Sequence, residues 1–426
     1  MRDIALVVLI GGLIPVIFRY PWVGAIAYAW ISVFVPHRWA FGFAKDMPIA
    51  MTVAVTTLAS MALQPKQVRL PINGITFLLV LIPAWMTVTL LFALEPDAAY
   101  QRWLEVMKVF FFTLVTASLV HSRKQVDALL WVIVLSVGFY TVKGGVFTIV
   151  EGGAYRVYGP PGESYIADNN AIAMAAVMMM PLMLYLAGVT SSKWVRMGFV
   201  GAVLLSGMTV LGSQSRGAFL AIVAMMAFLW MKSRRKLISG LALVVLALPA
   251  ITFMPDTWVN RMHTIQTYEQ DTSAMGRVNA WWMLFNLAND RPLVGGGFEP
   301  YTPREFEKYA PDPLDVHAAH SIYFQILGEH GYIGLALFLC FGIACWMMAG
   351  RLIKASRERG DTAWAGDLAR AIQVSLIGFA VGGAFFNMAY WELLYYEIVI
   401  LMATYRLVQS PEVEDLSNFD RRASVI

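Results

Sequence analysis

GRVNAWWMLFNLANDRPLVGGGF (Gly276–Phe298) and VHAAHSIYFQILGEHGYIG (Val316–Gly334) belong to a polar interruption, about Pro255 to Ala319, in a sequence that is otherwise almost continuously apolar. That contrast decides the fold class. Of 426 residues, 58% are hydrophobic and only 14% are charged, where a soluble domain carries roughly 25%. Most of the chain must therefore meet lipid or the inside of a helix bundle. The apolar runs lack period-two alternation, and an open sheet cannot satisfy its backbone in hydrocarbon. The expected fold is all-α, a polytopic membrane helix bundle.

A membrane helix needs about 20 apolar residues, and thirteen apolar segments run from Ile4–Phe18 to Trp391–Leu407. RYPW follows the first of them and offers no small-residue cleavage site, so it reads as a membrane segment and not a signal peptide. Lysine and arginine in short connectors mark the cytoplasmic side. They fall in His121–Lys124, Lys193–Arg196, Lys232–Lys236 and Arg351–Arg359. The alternate connectors, Gly152–Asp168, Gly212–Arg216 and Pro255–Ala319, are then external. The last carries nine acidic and five basic residues, in keeping with that side. In the N-terminal third, Lys66 and Arg69 inside would leave the basic stretch Pro36–Lys45 outside. About twelve spans, with one early segment re-entrant or interfacial and both ends cytoplasmic, reconcile these signs. The expected organisation is N-terminal membrane helices over 1–254, the loop over 255–319, C-terminal membrane helices over 320–410 and a cytoplasmic tail over 411–426. Cys340 and Cys345 share one apolar segment, which argues against a disulfide framework.

Chemistry should sit where the polar loop meets the membrane. Arg216, in GSQSRGAFLA, opens an apolar segment, and an arginine facing lipid costs roughly 2.5 kcal/mol or more at a helix centre. It could snorkel to headgroups, but Ser213, Gln214, Ser215 and Gly217 suit a cavity wall better. Arg277 begins the GRVNAWW stretch and offers a planar fork of donors that matches phosphate; the plain alternative is a solvated loop arginine, as Arg291 and Arg304 are taken to be. The external GGAYRVYGPPGESYIADNN (Gly152–Asn170) places Arg156 and Tyr158 where they could contact phosphate or sugar. Asn169 and Asn170 read as caps of the next helix. Of six histidines, His320 stands at the start of an apolar helix, where neutral imidazole can take a proton from an alcohol. His317, three residues earlier, would share its helix face. Two alanines lie between them, whereas the zinc spacing is four with a glutamate. No metal is expected. His330 reads as packing or pairing with Glu329. The triple glycine Gly295–Gly297 completes no nucleotide fingerprint, and no Walker, G-x-S-x-G, H-E-x-x-H or D-x-D pattern occurs. No cofactor and no nucleic acid are expected.

SRGAFLA (Ser215–Ala221), the Gly276–Phe298 segment and HSIYFQILGEHGYIGL (His320–Leu335) together resemble the bacterial O-antigen ligase and polymerase superfamily. The order matches as well: a membrane-edge arginine, a long loop with a second arginine, then a histidine opening the next helix. The resemblance covers roughly Gly152 to Gly350. The N-terminal third, with VFVPHRWAFGFAKDMP, resembles a branch of O-glycosylation ligases linked to exosortase systems. Family members have asparagine after the histidine and often a second histidine two positions before it. Here Ser321 and Ala318 hold those places, and His317 lies one further back.

The resemblance implies a GT-C-like bundle in a bacterial inner membrane. It would transfer a glycan from undecaprenyl pyrophosphate to a hydroxyl of lipid A–core on the periplasmic face, inverting and metal-independent. Arg216, Arg277 and Arg156 would stabilise the pyrophosphate without a metal, and His320 would be the base. His317, Tyr158 and Asn170 would support the site or meet the acceptor. An O-antigen polymerase and a protein O-oligosaccharyltransferase use similar parts. A lipid-linked glycan transporter is the reading from another class, with Lys108, Lys143, Glu392 and Glu397 as its intramembrane ionisable groups.

Overall fold

A computed structural model describes residues 1–409 except 41, 161–163, 233–234, 268, 270 and 359. The expected tail therefore lies outside the described residues. Among these residues every regular element is helical, and each apolar segment read from the sequence coincides with a helix. They are α1 (Arg2–Arg19), α2 (Pro21–Phe34), α3 (Ile49–Leu63), α4 (Gly74–Leu90), α5 (Pro96–Leu119), α6 (Arg123–Val150), α7 (Asn169–Val189), α8 (Lys193–Gly212), α9 (Arg216–Lys232) and α10 (Lys236–Thr252). The polar interruption folds into α11 (Asp256–His263), α12 (Thr272–Asp290) and α13 (Pro303–Tyr309). Then come α14 (Ile322–Glu358), α15 (Ala363–Gly383) and α16 (Glu392–Gln409).

Helix α7 is apolar on every side (NAIAMAAVMMM) and largely enclosed: α6, α8, α9 and α15 pack around it. A helix without a polar face belongs in a core, and its small residues and unbranched methionines let those neighbours fit closely. Helices α6 and α8 approach to near backbone contact. A Cβ on Gly145 would lie 2.1 Å from the Leu205 carbonyl oxygen, the small-residue contact that brings membrane helices together.

The twelve-span count is not confirmed. Among the described residues, four helices are long and apolar enough to cross a bilayer: Arg123–Val150, Asn169–Val189, Lys193–Gly212 and Ile322–Arg357. A fifth follows if Lys236–Thr252 and Asp256–His263, which meet at 114°, form one span. Helices α2, α3 and α4 are apolar but have 14, 15 and 17 residues. At 1.5 Å per residue they reach about 21–26 Å, short of a hydrocarbon core of about 30 Å. The chain is an integral membrane protein whose long apolar helices are supplemented by shorter ones.

Helix α14 breaks at Gly331 (φ 68°, ψ −172°). A break strips carbonyls of their partners four residues on, and each of the three before this one is satisfied from elsewhere. Gly296 N donates to the Gly328 oxygen (2.7 Å), Gly297 N to that of Glu329 (2.9 Å), and the Trp85 indole to that of His330 (3.1 Å). Tyr332 N, freed on the far side, donates to the Pro292 oxygen (2.8 Å). The triple glycine thus splints a broken helix. His330 lies in a buried chain with Thr89 (2.7 Å) and Tyr390 (2.9 Å), and Tyr390 donates to Glu329 (2.5 Å). The expected pairing with Glu329 is present directly, at 3.8 Å, as well as through this tyrosine.

Candidate functional site

The site is built on the turn between α8 and α9. Gly212 ends α8, Ser213–Ser215 turn, and Arg216 opens α9. Gln214 has φ 56°, an uncommon conformation for a residue with a side chain. The turn is held from several directions. Asn169 donates to the Ser213 oxygen (2.9 Å), Arg261 Nε to the Gln214 oxygen (2.9 Å), and Arg156 Nε to Gln214 Oε1 (3.3 Å). The Trp258 indole donates to the Leu211 oxygen (2.9 Å). Two parts of the chain distant in sequence, the α6–α7 connection and α11, therefore converge on one polar elbow.

Arg216 does not snorkel. Its guanidinium makes a forked pair with Asp271 (2.7 and 3.0 Å) and also donates to Thr264 (2.7 Å), with 12% of the side chain exposed. Asp271 is also the N-cap of α12, accepting from Ala274 N (2.8 Å). The Arg216 guanidinium holds its carboxyl below the usual carboxylate range, helped by the Ala274 amide and against the effect of burial. Its ionic contribution to stability is therefore complete above the ordinary carboxylate value of about 4. It is lost as pH falls through the lower folded value. Asp271→Asn should remove the ion pair and keep the cap, while Asp271→Ala removes both. Thermal unfolding in detergent should find the alanine variant less stable than the asparagine variant by about 1 kcal/mol, the worth of a cap.

Arg277, on the second turn of α12, is half-buried and makes no hydrogen bond or ion pair among the described residues. Burial lowers its guanidinium's proton affinity, and Arg216 and Arg261 lower it further, opposed by Asp271. Arg261, on α11, is lowered by burial and then by Arg156 and Arg216. Among the described residues, four guanidiniums thus share one neighbourhood with the Asp271 carboxylate. Such a cluster is held at electrostatic cost and invites an anion.

His320 stands beside this cluster, in the left-handed region at φ 43°. Its ring makes no hydrogen bond among the described residues. Burial pushes its pKa below the ordinary imidazole value, with Arg277 and His317 adding to the effect and Asp168 opposing it. The segment before α14 has no regular helical structure, so His317 and His320 do not share a helix face as the sequence suggested. The buried Asn279 holds this segment out of helix, donating to the Asp312 and Asp315 oxygens (2.8 and 2.9 Å) and accepting from Asp312 N (2.9 Å). Trp281, stacked on Phe324, donates to the Ala319 oxygen (2.6 Å). His317 pairs with Asp315 (2.7 Å) and lies directly on Gly276, where a Cβ would come within 2.3 Å of its ring.

Residues 201–339 match the family described as O-antigen ligase. The chain carries an O-antigen ligase domain. Residues 1–191 match a family of unknown function, DUF5935, and no curated protein matches the chain. Members of the O-antigen ligase family are ligases or glycosyltransferases that act in membranes on lipid-linked glycans. The ligase domain supplies Arg216, Arg261, Asp271, Arg277, His317 and His320. The N-terminal matched region reaches the same place with Arg156, Asp168 and Asn169.

The remaining sequence candidates are less engaged. Tyr158 is exposed, although it lies close enough to Arg261 to act on its charge. Asn170 makes no side-chain hydrogen bond among the described residues. The cap of α7 is Asp168, which accepts from Asn170 N and Ala171 N (2.8 and 3.0 Å); Asn169 turns instead to the ligase domain's elbow. Two residues escaped the sequence reading, Arg261 and Asp271. Both lie in a polar loop whose composition gives no sign of which charges face the elbow.

Proposed function

We propose that this protein transfers a glycan from undecaprenyl pyrophosphate to a hydroxyl of lipid A–core, at a site on the periplasmic side of the inner membrane. The observation that carries the reading is the cluster of Arg156, Arg216, Arg261 and Arg277 around the Asp271 carboxylate, with His320 at its edge. Arg277 has its donors free and is the direct pyrophosphate ligand. Arg156 and Arg261 flank it. Arg216, engaged by Asp271, adds charge and fixes the N-terminus of α12. His320, kept neutral, removes the acceptor's proton as the acceptor oxygen attacks the anomeric carbon. The anomeric carbon–oxygen bond to phosphate breaks, the electron pair leaves on undecaprenyl pyrophosphate, and the guanidiniums stabilise it. One displacement inverts the anomeric configuration.

The test is reconstitution in proteoliposomes with undecaprenyl-linked glycan as donor and lipid A–core and protein as competing acceptors. A covalent lipid A–core product with inverted linkage, unaffected by EDTA, is the expected result. Movement of the donor across the bilayer without any covalent product would refute it, and a product on protein alone would change the acceptor.

A further inference from the structure

A cavity of about 470 Å³ opens between α2, α5, the α6–α7 connection and the start of α16. It falls within the range of small-ligand sites, about 300–1,000 Å³. None of its lining residues comes from the ligase domain. Lys108, Glu105 and Glu392 line it with three tyrosines, Tyr28, Tyr165 and Tyr396. Lys108 lies midway along α5 and makes no hydrogen bond or ion pair among the described residues. Its side chain is exposed, and the cavity beside it admits water. The other ionisable groups named from the sequence, Glu397 and Lys143, do not line this cavity. Glu397 accepts from Ser375 (2.9 Å), and Lys143 sits over the Trp39 ring at 5.3 Å.

The lining selects its occupant. Glu105 is paired with Arg102 (2.7 Å), and Glu392 stands against the one ammonium, so the lining offers a pyrophosphate no net positive charge. An acyl chain would strip water from these polar groups without replacing it. A pyranose answers both demands: its hydroxyls donate to carboxylates and accept from the ammonium, and its C–H faces pack on aromatic rings such as Tyr28, itself stacked on Phe112 (3.8 Å). The α6–α7 connection ties this cavity to the arginine cluster. It sends Arg156 to the elbow, Tyr165 into the cavity and Asp168 toward His320. Building on the transferase reading, we propose that this cavity is a sugar subsite, holding a pyranose of the donor glycan or of the acceptor core while the arginine cluster holds the pyrophosphate.

Saturation-transfer NMR on the full chain in nanodiscs tests this with two probes. One is oligosaccharide released by mild acid from the undecaprenyl-linked pool, the other core oligosaccharide released from lipid A. A signal from either supports the subsite, and the probe that gives it identifies the source. Lys108→Met and Glu392→Gln should each weaken binding about tenfold or more, the worth of a charge-assisted hydrogen bond. Arg304→Ala, on an exposed side chain, should leave it unchanged. Size-exclusion and thermal-unfolding profiles establish that the variants fold. No signal from either probe, or equal signals in both cavity variants and wild type, overturns the subsite. Sugar binding that maps to the cavity in a protein that transfers nothing upholds the subsite and removes the transferase reading. Transfer without such binding does the reverse.

Discussion

Replacing His320 with alanine is expected to lower glycan transfer about 10²- to 10⁴-fold, the usual worth of a positioned general base, in a protein that still folds. The ring is half-buried and makes no hydrogen bond among the described residues, so its loss leaves no buried partner stranded. The pH profile gives a second readout. Burial, Arg277 and His317 hold the imidazole below its ordinary value of about 6.5, against the pull of Asp168. A base works in its neutral form, so wild-type kcat/KM should hold as pH falls to about 6.5 and decline only at lower pH. In the alanine variant that acid limb should disappear, with donor binding retained because the arginine cluster is intact. Near-normal transfer in His320→Ala would remove this residue from the chemistry. A wild-type limb centred above the ordinary imidazole value would contradict its surroundings in this fold.

The helices were legible because hydrocarbon demands long apolar runs, and each run marks a helix almost by itself. Their ends were less so. Helix α14 continues beyond its apolar run through RLIKASRE to Glu358, and a polar extension of that kind carries no hydropathy signal. Span number was not legible either, because a helix such as α2 can be apolar throughout and too short to cross. At the site, Arg216, Arg277 and His320 stood out as costly or chemically apt residues at membrane edges, and the structure brings them together. What gives Arg216 its setting is Asp271, 55 residues away, and nothing local announces that pairing. Arg261 is hidden for the same reason. The two histidines do not share a face because Asn279 and Trp281 hold the segment that carries them out of helix.

Gly331→Ala is expected to destabilise the protein by about 3 kcal/mol or more, and Gly342→Ala on the same helix to leave it unchanged or slightly more stable. Two costs combine at Gly331. Its φ of 68° with ψ −172° lies in a region that is essentially reserved for glycine, at about 1–3 kcal/mol for other residues. An added Cβ would also lie 2.4 Å from the Leu293 oxygen, a backbone atom that cannot swing aside. Relief would require the Pro292–Gly297 segment to move, breaking the bonds by which Gly296, Gly297 and Pro292 satisfy the interrupted helix. Those groups would then be buried without partners. Gly342 has nothing within 4 Å of its would-be Cβ and lies in regular helix, where alanine is favoured over glycine by about 0.5–1 kcal/mol. Thermal unfolding of the two variants side by side separates the kink from a general sensitivity of the helix. The kink also sets the direction of the segment from Ile322 to His330, whose start carries His320, so Gly331→Ala should lose transfer even in the fraction that folds. If it unfolds no earlier than Gly342→Ala, the break is not intrinsic to α14, and the splint of glycines has another purpose.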